Sequence, residues 1–115
     1  MKHQSHIEGH AVPPVVDLLM RGRARVAQGW RKHGLAEKDG EVCILAGIGG
    51  RDGIQMDGPP VFFQAQHFLY LALGRTEEAP GCEGIWVAKY NDARETTQAD
   101  ILALYDRAID LALTA

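Results

Sequence analysis

The stretch Thr97-Gln98-Ala99-Asp100-Ile101-Leu102-Ala103-Leu104-Tyr105-Asp106-Arg107-Ala108-Ile109-Asp110-Leu111-Ala112-Leu113-Thr114-Ala115 decides the fold class. Ile101, Leu104, Tyr105, Ala108, Ile109, Ala112 and Leu113 recur at steps of three and four residues, the period of one helix face. Thr97 and Asp100 stand at capping-box spacing, with Asp in place of the usual Glu or Gln. The threonine oxygen is placed to accept from a first-turn N–H, and the carboxylate lies at the positive end of the helix dipole.

Upstream, two Pro-Pro pairs each open a further helix-like segment, since a first-turn proline gives up only an N–H that has no helical partner. After Pro13-Pro14, the stripe Val15, Leu19, Gly22, Val26 and Trp30 predicts a helix to about His33, with Gly34 as its cap. Gly22 and Gly29 each cost that helix about 1 kcal/mol relative to alanine, so close approach of another segment or a break is expected there. After Pro59-Pro60, Phe62, Ala65, Phe68 or Leu69, Ala72 and Leu73 share a face and Gly74 ends it. Two short apolar runs, Val42–Ile48 and Ile85–Tyr90, fit either a strand or a helical turn. Three helices without an alternating strand series point to a mainly α fold.

With 115 residues, 46% hydrophobic and 23% charged, the chain matches one soluble globular domain. Residues 1–11 read as a flexible N-terminal tail and 12–115 as one helical domain, a small bundle with long glycine-rich loops. No apolar run is long enough to span a bilayer, and residues 1–10 lack a signal peptide's apolar segment, so a cytoplasmic protein is expected. His3, His6 and His10 are spaced for chelation on a helix, but Gly9 and the absence of a packing face argue against one, so no metal is expected.

The net charge of −3 hides a division. Met1 to Lys38 carries seven Lys/Arg against three acids, whereas Asp39 to Ala115 carries five against twelve. Such opposed blocks face each other, or a second copy, more readily than a polyanion, which argues against nucleic acid as partner.

Three constellations invite a chemical reading. Gly47-Ile48-Gly49-Gly50-Arg51-Asp52 resembles the start of a dinucleotide fingerprint, but Asp52 stands where its third glycine belongs and Gly53–Pro60 are helix breakers. No Gly-Lys-Ser/Thr is present, so no cofactor is expected. Cys43 with His33 or His67 as base, oriented by Asn91 or Asp92, would make a cysteine nucleophile, but a cysteine in so apolar a run is ordinarily a small hydrophobe. Asn91-Asp92 by default forms a turn or cap. Trp30 and Trp86 are core or interface anchors by size.

Gly29-Trp30, Gly40-x-x-Cys43, Leu69-x-x-x-Leu73-Gly74 and Tyr90-Asn91-Asp92 followed by Thr97-x-x-Asp100-Ile101-x-x-Leu104 are together similar to a family of small proteins of unknown function found in actinobacteria and their phages. Members show Gly-Trp, a Cys-containing apolar segment, and Trp-Asn-Asp before a threonine-capped last helix. Here Tyr90 takes the place of the usual Trp, and the Gly47–Pro60 stretch departs from the pattern. The resemblance spans Val15 to Ala115 and implies a helix over Cys43–Ile48. It implies no activity, cofactor or catalytic residue.

The expected function is therefore a non-enzymatic protein–protein interaction module of phage or actinobacterial origin. It would bind an unknown protein or a second copy of itself through Arg21, Arg23, Arg25, Trp30, Arg31 and Lys32. Tyr90, Asn91, Asp92, Thr97 and Asp100 form a structural motif. The alternatives are a small-ligand binder or cysteine-dependent enzyme built on Cys43, a histidine such as His67, and Asn91 or Asp92, and, third, a nucleic-acid modulator.

Overall fold

In the computed structural model the described residues are 12–34, 39–49, 58–75 and 81–115, and they form five helices. These are α1 (Pro14–Gln28), α2 (Ile44–Gly47), α3 (Pro59–Ala72), α4 (Glu83–Asp92) and α5 (Gln98–Thr114). The histidines of the tail and the residues Gly50 to Asp57 of the glycine-rich stretch, Arg51 and Asp52 among them, lie outside the described residues. Among the described residues no helix is long and apolar enough to cross a membrane.

The capping box closes as its spacing requires. Asp100 N–H donates to Thr97 Oγ1 over 3.2 Å, and Thr97 N–H donates to Asp100 Oδ2 over 2.9 Å. From this start α5 buries Ile101, Leu104, Tyr105 and Ala108 completely. Leu113, expected on the same face, is exposed in the last turn. The helix packs against α1 and α3. Gln98 Nε2 donates to the Val26 carbonyl and Arg23 pairs with Asp106, so α5 runs antiparallel to α1.

Tyr105 explains a glycine in the middle of α1. Its hydroxyl donates to the Ile44 carbonyl, and burial pushes the phenol far above its usual range, so it remains a donor. A Cβ on Gly22 would lie 2.8 Å from the Tyr105 hydroxyl, and one on Gly47 would lie 2.7 Å from it. The missing methyl groups let α1, the single turn α2 and α5 close around one phenol.

The first helix is shorter than its stripe predicts. It ends at Gln28, and Trp30 lies outside it in a parallel bridge with Val42. Val42 N–H donates to Gly29 O and Arg31 N–H to Val42 O. A Cβ on Gly29 would meet Gly40 O at 2.8 Å, so the chain leaves the helix where only glycine lets the next segment approach. Gly34 therefore does not cap α1.

The two ambiguous runs each hold a helix, although Val42 itself lies in the bridge with Trp30. The resemblance's expectation for Cys43–Ile48 is met by α2, whose N-cap is Cys43: its Sγ accepts from Ala46 N–H over 3.4 Å. Ile85–Tyr90 lies within α4, which packs on α3 and α2. The helix after Pro59-Pro60 runs as predicted, and Gly74 follows it at φ +88°, bonding back to Leu71 O.

Candidate functional site

Two regions carry the features the sequence singles out. The first centres on Asn91, 1% exposed at the end of α4. Its Oδ1 accepts from Trp30 Nε1 over 2.7 Å and from Ile44 N–H over 3.0 Å. Its Nδ2 donates to Arg31 O over 3.2 Å and to Asp92 Oδ1 over 3.0 Å. Two acceptor and two donor positions are an amide's full capacity, and all four are used. Asn91 is not the local turn or cap of the default reading. It ties α4 to the segment after α1 and to the first turn of α2.

Asp92 extends the tie. Its Oδ1 accepts His33 N–H over 2.8 Å, and His33 Nδ1 lies 3.6 Å from Oδ2. Partial burial pushes the Asp92 carboxyl up, but the hydrogen bonds from His33 and Asn91 and the nearby His33 ring and Lys32 ammonium outweigh it. They hold it below the usual carboxylate range. His33 sits at φ +63°, a left-handed conformation that costs a non-glycine residue about 1–2 kcal/mol. Lys32 Nζ donates to Ala93 O over 2.6 Å and to Arg94 O over 3.3 Å, placing a cation over the C-terminal end of α4.

Cys43 and Asp92 share the wall of a cavity of about 110 Å³ with Gly34, Ala88 and Asn91. His67 is not among its lining residues and pairs instead with Glu83, Nδ1 to Oε2 at 2.7 Å. The histidine beside Asp92 is His33. Burial pushes the Cys43 thiol up, more than the N–H bonds from Ala46 and Leu45 lower it, and the Asp92 charge acts in the same upward direction. A thiol so held is protonated at neutral pH and is a poor nucleophile. Among the described residues, no group of three or more His, Cys, Asp or Glu is placed to hold a metal ion.

The basic residues are engaged within the chain. Arg21 pairs with Asp17 at 2.9 Å, Arg23 pairs with Asp106 at 2.6 Å, and Arg25 reaches Gly47 O over 3.4 Å. Trp30 is half-buried with its indole N–H on Asn91. Trp86 carries the Arg75 guanidinium 3.7 Å above its ring, and the Lys89 ammonium 5.0 Å from its centroid.

The second region is one the sequence reading passed over. Between α3 and α4 lies an open cleft of about 610 Å³, lined by Leu45, Ala88, Phe63 and Ile85, with Gln66 and Glu83 as its polar side chains. Phe63 is 51% exposed and Ile85 is 58% exposed. The signal was available: α3 contains no Asp, Glu, Lys or Arg in 14 residues, and an apolar helix with no charged face is ordinarily buried on all sides.

Fold and regions together define a small all-α protein whose polar motif residues tie helices to one another, and whose open apolar surface is a groove between two of them. The profile of DUF6197, a family of unknown function, matches residues 10–111, and the chain belongs to that family. No curated protein and no solved structure matches the chain.

Proposed function

We propose that the protein is a non-enzymatic interaction module that receives apolar side chains of a partner protein in the α3–α4 cleft. The observation that carries this reading is the pair Phe63, on a helix without Asp, Glu, Lys or Arg, and Ile85, on α4, each more than half exposed along an apolar groove. The interaction surface moves from the basic residues Arg21 to Lys32, several of which meet acceptors inside the chain, to α3 and α4. That engagement also leaves the nucleic-acid reading with less support.

A cysteine-dependent enzyme is the weaker reading. The cavity beside Cys43 is well below the roughly 300–1,000 Å³ of small-molecule sites, and its thiol is held protonated. The cytoplasmic and actinobacterial or phage setting belongs to the proposal, and the free thiols Cys43 and Cys82 suit a reducing compartment.

The test is photo-crosslinking in producing cells, with a photoreactive phenylalanine analogue in place of Phe63 and, as control, in place of the exposed Glu95. A discrete adduct from position 63 and none from position 95 is expected. No adduct, or the same adducts from both positions, removes the reading.

A further inference from the structure

We draw no further inference here: the strongest candidate, the open apolar cleft between α3 and α4 with Phe63 and Ile85 exposed along it, is the surface the proposed function already uses, and nothing in the structure shows what covers it.

Discussion

Asn91 and Phe63 sit on neighbouring helices and are opposite in kind. Asn91 is a polar side chain buried with every donor and acceptor matched, whereas Phe63 is an apolar side chain left half in water. Folding explains the first fully, because a buried amide with four partners is what a well-packed interior demands. Folding does not explain the second, since about half of the ring is left exposed among the described residues. The contrast shows where function is to be sought: Asn91 and Asp92 are occupied in holding the molecule together, whereas the chemically plain surface at Phe63 is left open among the described residues.

The largest effect expected from this comparison is at Asn91. Replacing it with alanine strands Trp30 Nε1–H, the Ile44 N–H and the Arg31 carbonyl. The Ile44 N–H is buried and the other two groups are half-buried; at about 1–3 kcal/mol for a buried group left unpaired and less for groups that water reaches, a loss of about 2–3 kcal/mol is expected, a large part of the roughly 5–15 kcal/mol a small domain has. Denaturant unfolding measures it. A loss below about 1 kcal/mol would mean that water replaces the amide at no cost, and that the junction is not the tie described.

Asp92 should give a smaller effect, set by pH. Its carboxyl is held below the usual range in the folded chain, so the stability it contributes is fully present above the unfolded value near pH 4 and is lost as pH falls through the folded value. Asp92→Asn is therefore expected to lower the melting temperature at pH 7, with the gap from the parent chain narrowing as both are taken into acid. A gap that stays constant through the acid range would assign the residue's contribution to packing instead of charge.

How much of this could be read beforehand divides along physical lines. The helix over Gln98–Thr114 was legible because its stripe is long and its cap is local, both visible within one segment. The end of α1 was not, because it is set by Gly40 closing on Gly29 from beyond the helix, outside the reach of its periodic stripe. Helix α4 was hidden by its buried face: Val87 and Asn91 are buried one turn apart, and an asparagine in that row reads as a stop signal until its four partners are known. A close approach or a break is expected at Gly22 from the cost of glycine in a helix, but that the Tyr105 phenol is what approaches is set by α5 and is not legible locally. The pairing of Asp92 with His33, and of His67 with Glu83, could not be chosen from sequence, because either histidine is compatible with the spacing. The cleft was within reach, since the absence of Asp, Glu, Lys and Arg across Pro59–Ala72 is a sequence fact.

The smallest expected effect sharpens the comparison most. Phe63→Ser removes a half-exposed ring that meets Phe62 edge-on, with centroids 5.2 Å apart. An aromatic pair of this geometry contributes about 0.5–1.5 kcal/mol, and serine and phenylalanine have about the same helix propensity. A stability change near the lower end, about 0.5 kcal/mol, is therefore expected from unfolding of the variant at a concentration where it is monomeric. That is several-fold less than at Asn91, although phenylalanine is the larger and more apolar residue. If Phe63→Ser instead costs as much as a core truncation, about 3 kcal/mol or more, the ring is holding the monomer together and its exposure carries no functional meaning. A near-neutral result leaves an exposed aromatic that the fold does not need, in a groove that water alone would not favour.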